Sequence, residues 1–107
     1  MSAQPIQVTT AIDSEERAQA LTKTIVEERL AACGQIEGPV QSTYVWKDKL
    51  EQSVEYRCVF KTDMRLWNDI ARRITELHNY DVPEIVASEY VCVSDSYSHW
   101  MQDQLER

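Results

Sequence analysis

The chain contains few of the residues that characterise fibrous, low-complexity or linker-rich proteins. Its 107 residues include only two glycines and three prolines, which excludes collagen-like and low-complexity classes. No apolar run approaches the roughly 18 residues that a membrane-spanning helix needs. The motifs GxGxxG, GxxxxGKS/T and GxSxG are absent from the sequence. The sequence therefore offers no glycine-rich cradle for a nucleotide phosphate.

Cysteine and basic residues are also scarce. The three cysteines, Cys33, Cys58 and Cys92, are odd in number, lie far apart and form no CxxC pair, so no disulfide framework is predicted. Eleven basic residues against eighteen acidic residues give a net charge of −7, which disfavours binding to nucleic acid. The first five residues lack the basic and apolar regions of a signal peptide. We therefore expect a cytoplasmic protein without a nucleic-acid or membrane partner.

The residues that are present have the balance of a folded protein with one core. Hydrophobic residues make up 43% and charged residues 27% of the chain, and no linker is visible, so a single domain over 1–107 is predicted. Alternation with a period of two predicts strands, and apolar residues at helical spacing predict helices. The predicted strands cover residues 5–12, 35–46, 53–62 and 84–91, and the predicted helices cover 14–33, 63–77 and a short segment that begins at 94 or 95.

The order of these elements, β-α-β-β-α-β-α, predicts an α+β fold. Two β-α-β units joined by a hairpin at 46–50 give a four-stranded antiparallel sheet with two helices on one face, the ferredoxin-like arrangement, followed by a short C-terminal helix. A doubly wound parallel sheet is the alternative, but a hairpin that joins two strands directly argues against it. Asp13 is the predicted N-cap of the first helix and Gly34 its left-handed C-cap. A bulge or an edge position is expected at Gly38-Pro39.

The hairpin of residues 40–60 is long and rich in aromatic side chains. Strands of about ten residues span about 33 Å, which is long for a domain of this size. Projecting strands that carry Tyr44, Trp46, Tyr56 and Phe60 favour pairing with the edge of another subunit. The alternative is that these rings fill the core of the monomer.

Two residues with reactive or charged side chains, Arg29 and Cys58, are expected to be buried. Arg29 falls in the middle of the apolar stripe of helix 14–33, where a charge needs a partner or must reach solvent. We predict that it is buried and paired with Glu84. The alternative is a purely structural salt bridge, or a long side chain that covers apolar surface. Cys58 alternates with apolar residues of its strand and is predicted to lie in the core.

Metal-binding and catalytic patterns are weak in this sequence. No HxxxH, HExxH or calcium-loop spacing is present. Cys33 and His78, which both end predicted helices on one side of the sheet, are the expected ligands of weak copper or other divalent metal binding. The fold is expected to form without metal, so no cofactor is required. An enzyme that acts through Cys33 or through Tyr80 and Glu84 is an alternative that we do not favour, because thiolate activation favours a helix N-terminus.

Separate segments of the chain, in the same order, resemble the CutA family of divalent-cation-tolerance proteins. The resemblance covers about residues 6–102. It rests on VTTAI at 8–12, VEERLAAC at 26–33, STYVW at 42–46, FKT at 60–62, LHNYDVPEI at 77–85 and YSHW at 97–100.

This resemblance implies a ferredoxin-like homotrimer, in which long hairpins pair across subunits, and a role in tolerance to metal ions such as copper. The architecture is similar to that of the PII signalling trimers, which bind small molecules in clefts between subunits. Carried over by position, the implied ligand-binding residues are Tyr44, Trp46, Lys61, Thr62, Tyr80, Pro83 and Glu84, and Cys33 and His78 join the same pocket as metal ligands.

The sequence departs from the family pattern at Asp48, where the hairpin usually has glycine, and at Asn79, where proline usually follows the histidine. The predicted function is that of a trimeric, non-enzymatic protein of divalent metal response that binds a metal or a small ligand between subunits. The alternative is a PII-like signalling module that binds a nucleotide or another metabolite in the same cleft.

Overall fold

Four strands form one antiparallel sheet in the computed structural model, which describes residues 2–106. Met1 and Arg107, the ends of the predicted domain, lie outside the described residues. The strands are β1 (Pro5–Ile12), β2 (Cys33–Trp46), β3 (Lys49–Asp63) and β4 (Val86–Glu89), and the helices are α1 (Glu15–Glu27), α2 (Trp67–Leu77) and α3 (Asp95–Gln104), with a 3-10 turn at Met64–Leu66.

The sheet order is β2-β3-β1-β4 and every neighbouring pair is antiparallel, so the predicted ferredoxin-like α+β fold is confirmed. Alternate residues of β1 and β3 point to one face, where α1 and α2 cover them. Phe60 and Cys58 are fully buried there, as predicted for Cys58. The helices contribute Ile25 from α1 and Ile70 from α2, both fully buried in the same cluster. Within residues 2–106, no helix is long and apolar enough to cross a lipid bilayer.

The β2-β3 hairpin is the longest feature of the molecule. Its strands have 14 and 15 residues, and the molecule extends 45 Å along its longest axis. Lys47 and Asp48 form the two-residue turn, with φ of 52° and 65°. Two successive positive φ values are those of a type I′ turn, which matches the twist of the flanking strands. The predicted irregularity at Gly38-Pro39 is present as a register shift between Glu37 and Val40.

Apolar side chains along this hairpin are exposed, and we call them the apolar arm. Leu50 is 72% and Val45 68% exposed. The strand that carries the first half of the arm, β2, lies at one edge of the sheet, and β4 lies at the other. The members of the apolar arm are Tyr44, Val45, Trp46, Leu50 and Val54.

Helix α1 is shorter at both ends than predicted. Its N-cap is Ser14 rather than Asp13, because the Ser14 hydroxyl accepts a hydrogen bond from the backbone N–H of Arg17 at 3.1 Å. At the other end, the backbone N–H of Arg29 donates to the carbonyl of Val26 at 3.0 Å, and that of Leu30 donates to the carbonyl of Ile25 at 3.2 Å. This is the Schellman pattern that ends a helix.

The prediction that Arg29 is buried and paired with Glu84 is wrong. Arg29 occupies the left-handed position of the Schellman motif, with φ of 64°, so it is no longer on the apolar stripe of the helix. Its side chain is exposed and donates to the backbone and side-chain oxygens of Gln104 at 3.2 and 3.3 Å. The predicted C-cap, Gly34, lies in β2 instead.

Strand β4 has four residues, Val86–Glu89, where residues 84–91 were predicted. Residues 78–85 form a loop that precedes it, and His78 and Tyr80 of this loop form hydrogen bonds with the sheet. The C-terminal helix α3 begins after Ser94, one of the two predicted caps, and packs on a small cluster separate from the main core. That cluster consists of Ala32, Leu66, Met101 and Leu105.

Candidate functional site

A cleft of about 700 Å³ lies between the hairpin and the loop that connects α2 to β4. Strands β2 and β3 supply one wall, the loop supplies the other, and Ala11 of β1 lies between them. We call this feature the hairpin cleft. The residues that line it are Ala11, Ser42, Thr43, Tyr44, Trp46, Glu55, Tyr80, Asp81, Val82, Pro83 and Glu84.

The loop wall is held against the sheet by His78. Its ring is about nine-tenths buried, with Nε2 2.9 Å from the Ala11 carbonyl oxygen and Nδ1 3.1 Å from the backbone nitrogen of Tyr80. A carbonyl oxygen only accepts and an amide N–H only donates, so the ring is neutral and carries its proton on Nε2. The pairing of β1 with β4 ends at Thr9, so the Ala11 carbonyl has no partner in β4. His78 provides the hydrogen bond that this carbonyl would otherwise lack.

A hydrogen bond between Glu55 and Tyr80 joins the two walls of the cleft. The Tyr80 hydroxyl donates to Glu55 Oε2 at 2.8 Å, and the Glu55 residue is only 8% exposed. Burial, together with the hydrogen bond to Glu55, raises the pKa of Tyr80 above its ordinary value. The phenol therefore keeps its proton and remains a donor at neutral pH. The rings of His78 and Tyr80 also lie against each other, with centroids 4.7 Å apart.

The charged side chains of the hairpin cleft are all acidic. Glu55, Asp81 and Glu84 line it, and no lysine, arginine or histidine is among the lining residues. None of the three carboxylates forms a salt bridge with a basic residue of the described chain, 2–106. Asp81 and Glu84 are exposed, whereas Glu55 is buried. The cleft is therefore an aromatic and acidic surface.

Five of the seven predicted ligand-binding residues lie in this cleft, and two do not. Tyr44 and Trp46 come from the hairpin, and Tyr80, Pro83 and Glu84 come from the loop. Both segments were identified in the sequence by their separate motifs, and the fold brings them together.

Lys61 and Thr62 lie elsewhere. Thr62 is fully buried, and its hydroxyl donates to the Leu30 carbonyl at 2.7 Å, which is a structural role. Because side chains alternate along β3, Lys61 points to the opposite face, where its Nζ lies 5.6 Å from the centroid of the Tyr97 ring. Neither residue contributes to the lining of the hairpin cleft.

The two predicted metal ligands are not brought together. Cys33 begins β2 opposite Lys61, whereas His78 contacts Ala11, whose partner in β3 is Arg57. Lys61 and Arg57 are four residues apart in β3, which corresponds to about 13 Å along the strand. Both ring nitrogens of His78 are already hydrogen-bonded. In the stretch 2–106, no three His, Cys, Asp or Glu side chains are grouped so that they could hold one metal ion.

Sequence reasoning missed Glu55, the only buried carboxylate of the cleft. It lies on the polar side of a strand that alternates between polar and apolar residues, a pattern that predicts exposure. Asp81 and Val82 could have been predicted as cleft residues from the sequence, because they lie between Tyr80 and Pro83 in the segment that resembles the family. The burial of Glu55 has no local signal, because the covering loop comes 25 residues later in the chain.

The family model described as CutA1 divalent ion tolerance protein matches residues 6–104. The divalent-cation tolerance protein CutA of Pyrococcus horikoshii is 33% identical over 100 residues, which are 94% of this chain and 97% of that protein. These relatives are named as tolerance proteins and not as enzymes.

Solved structures agree with this match. The divalent cation tolerance protein of Thermus thermophilus superposes with a TM-score of 0.92 at 32% identity, covering 95% of this chain and 99% of that one. CutA1 of Oryza sativa superposes with a TM-score of 0.95 at 27% identity, covering 98% and 96% of the two chains. Sequence and fold thus coincide over nearly the whole length, and the chain belongs to the CutA1 family of divalent ion tolerance proteins.

Proposed function

We propose that this protein is a trimeric, non-enzymatic component of the response to divalent metal ions such as copper, and that it binds a metal or a small ligand in clefts between its subunits. The observation that carries the proposal is the apolar arm, which adjoins the hairpin cleft. Tyr44 and Trp46 belong to both features, so a subunit that covers the arm also reaches the cleft.

The two edges of the sheet support assembly into a ring. β2 and β4 lie at opposite edges, and an uncovered edge offers free backbone N–H and C=O groups to another chain. Contact between different edges of neighbouring copies is head-to-tail, and such contacts close into rings when the rotation permits. The number three comes from the family resemblance. Exposed apolar residues such as Val45 and Leu50 would then be removed from water.

The arrangement of the candidate metal ligands supports a site that needs more than one subunit. Within the described residues, 2–106, one chain does not group three donors for a metal ion. A closed metal site requires about four converging donors. A second chain at the hairpin cleft would add donors to the exposed carboxylates Asp81 and Glu84.

A binding role is supported over catalysis by the separation of the reactive side chains. Cys33 and His78 lie at different ends of the sheet, and the Nδ1 atom of His78 accepts a hydrogen bond from backbone instead of facing a thiol. Cysteine nucleophiles need a base within hydrogen-bond reach. The hydroxyl of Tyr80 is likewise engaged in a hydrogen bond, to the Glu55 carboxylate.

Sedimentation equilibrium tests the assembly. We expect a mass of about 37 kDa, three times the chain mass of 12.4 kDa. Leu50→Asp, which places a charge on the apolar arm, should shift the protein toward monomer. The matched control Ala20→Asp changes an exposed residue of α1 and should leave the trimer intact. A wild-type monomer at micromolar concentration would contradict the proposal.

Titration calorimetry with copper and with zinc tests metal binding on the wild type, Cys33→Ser and His78→Ala. We expect weak binding, and an intact fold after treatment with a chelator. Binding that is equal in all three proteins would remove Cys33 and His78 as ligands. Unfolding by the chelator would contradict a fold that forms without metal.

The alternative, a PII-like module, is supported by the size of the hairpin cleft. Its volume of about 700 Å³ falls in the range of small-molecule sites, about 300–1,000 Å³. The acidic lining counts against an anionic nucleotide, because the cleft offers no basic side chain of its own to a phosphate. A thermal-shift screen with ATP, AMP and copper distinguishes the two functions, and stabilisation by a nucleotide alone would favour the alternative.

A further inference from the structure

A second cavity, of about 410 Å³, lies on the face of the sheet opposite α1 and α2. Arg57 and Lys61 of β3 point to this face, because side chains alternate along a strand and the neighbouring Cys58 and Phe60 lie in the core. We call the cavity the open-face pocket. It shares no lining residue with the hairpin cleft, and its volume falls in the range of small-molecule sites. Its lining includes Gln7, Arg57, Lys61, Tyr90, Cys92 and Tyr97.

Lys61 is the only one of the four lysines that is half-buried, since Lys23, Lys47 and Lys49 are exposed. Its Nζ lies 5.6 Å from the centroid of the Tyr97 ring, whose face attracts an ammonium group. An ammonium group has three N–H donors, and a ring on one side satisfies only part of this capacity. Lys61 therefore presents a positioned positive charge and N–H donors to the open-face pocket.

The amide of Gln7 is oriented next to this ammonium group. Gln7 lies directly opposite Lys61 in the pairing of β1 with β3, where side chains are neighbours on one face. The Tyr90 hydroxyl donates to Gln7 Oε1 at 2.9 Å, so the Nε2 group, with its two N–H donors, is left to a ligand. Burial raises the pKa of Tyr90, which keeps the phenol protonated and the amide in this orientation at neutral pH.

The charge of the open-face pocket is opposite in sign to that of the chain. Its lining contains two basic residues, Arg57 and Lys61, and one acidic residue, Glu37, which pairs with Arg57 at 2.7 Å. Two positive charges less one negative charge leave +1, in a chain of net charge −7. The bond to Glu37 occupies one of five N–H donors of Arg57, and a guanidinium group suits phosphate and carboxylate oxygens. Convergent N–H donors and positive charge together select an anion.

We propose that the open-face pocket binds the oxyanion group, a phosphate or a carboxylate, of a small metabolite. One oxygen accepts from the ammonium group of Lys61, another accepts from the Nε2 group of Gln7, and Arg57 attracts the ligand from the other end of the pocket. This site goes beyond the proposed function, because it lies in a different cavity and takes a ligand of opposite charge.

Titration calorimetry of the full-length protein with three matched probes tests the proposal. Glycerol phosphate carries a phosphate, glycerate carries a carboxylate, and glycerol carries neither group. We expect one or both anions to bind and glycerol not to bind. Binding of glycerol phosphate alone would assign the site to phosphate esters, and binding of glycerate alone would assign it to carboxylates.

Two variants locate the bound anion. Lys61→Gln removes the charge and should weaken binding at least about tenfold, because hydrogen bonds to charged groups are the strong ones. Gln7→Glu keeps an acceptor for Tyr90 but places a carboxylate where the N–H donors were, and should also weaken binding at least about tenfold. The matched control is Lys23→Gln, which removes an exposed lysine of α1 and should leave binding unchanged. Circular dichroism of each variant confirms that it is folded.

The thiol of Cys92 provides a second readout, because it is exposed and lines the same pocket. A bound anion should slow the alkylation of Cys92 by iodoacetamide, measured by mass spectrometry of the peptide that contains it. The protection should be lost in Lys61→Gln. Alkylation at the same rate with and without the saturating anion would contradict binding in this pocket.

A carboxylate of a neighbouring subunit is the other occupant that Lys61 would accept, and sedimentation equilibrium separates the two. If neither anion binds the wild type and Lys61→Gln dissociates an oligomer, the pocket holds a neighbouring subunit and the proposal is overturned. It is also overturned if Lys61→Gln or Gln7→Glu binds the anion as the wild type does. A trimer that binds copper but neither anion would leave the proposed function standing. A monomer that binds an anion with both expected losses would support the open-face pocket and overturn the trimeric function.

Discussion

Removing the Tyr80 hydroxyl should destabilise the protein measurably, because it leaves the buried carboxylate of Glu55 without a donor. The hydroxyl donates to Glu55 Oε2 at 2.8 Å, and Glu55 is only 8% exposed. A hydrogen bond to a charged group contributes about 1.5–3 kcal/mol. Glu55 lines the cleft, where water can replace part of that bond, so we expect Tyr80→Phe to cost about 1–2 kcal/mol.

Urea unfolding at one fixed protein concentration measures this cost. With a slope of about 2 kcal/mol per molar urea, the midpoint should fall by about 0.5–1 M. The matched control is Tyr44→Phe, because Tyr44 is exposed and its hydroxyl shares one hydrogen bond, at 3.3 Å, with the hydroxyl of half-buried Ser53. That variant should lose less than about 0.3 M. Equal midpoints for Tyr80→Phe and the wild type would refute the structural role of the hydrogen bond.

The pH dependence of the same pair of proteins provides a second check. The pKa of Tyr80 is raised in the folded state above its ordinary value of 10.0. The stabilisation from the protonated phenol is therefore fully present below pH 10 and is lost as the pH rises through the folded-state pKa. The difference in free energy of unfolding between the wild type and Tyr80→Phe should be constant from pH 7 to 9 and should narrow above pH 10.

One labelling experiment and two substitutions test other parts of the structure. Thiol labelling should modify exposed Cys92 first and Cys58 only after unfolding, because Cys58 is fully buried and burial raises its pKa to about 11; simultaneous labelling would contradict this. Gly38→Ala should lower the free energy of unfolding by about 1–3 kcal/mol, since φ is +151° and the new Cβ would lie 2.9 Å from a neighbouring ring; an unchanged urea midpoint would contradict this. Thr62→Val should lower the free energy of unfolding by about 1 kcal/mol, because it removes the 2.7 Å hydrogen bond to the Leu30 carbonyl, and it should leave a copper titration unchanged; a changed titration would restore Thr62 to the binding site.

Features that depend on neighbours in the chain were predictable from the sequence. The alternation around Cys58 identified the buried face of its strand, because side chains of a strand point to opposite faces in turn. The hairpin at 46–50 and the bulge at Gly38-Pro39 follow from turn residues between extended segments. With the order of the elements, these local features were sufficient for the ferredoxin-like fold. The five correctly predicted residues of the hairpin cleft came from the resemblance to the CutA family, carried over by position.

The helix end at Arg29 shows where local patterns stop being sufficient. The apolar spacing of 14–33 continues through the end of α1, and nothing in it marks a break at Glu27. Arg29 takes a left-handed conformation that glycine usually occupies, and Leu30 then packs in the core with Ile25. The gain from burying Leu30 offsets the backbone cost at Arg29, and that gain exists only once the sheet is in place.

The sequence by itself determined the order of the elements, the buried faces and the two motifs that line the cleft. Only the tertiary structure decided which carboxylate lies between them. Glu55 is buried because the loop that contains Tyr80, 25 residues later, is held over it by the bond from His78 to Ala11. That placement depends on strand register and loop closure over long sequence separations, which no local pattern encodes. The same folding step separated Cys33 from His78, two residues that the sequence had placed at the ends of similar helices.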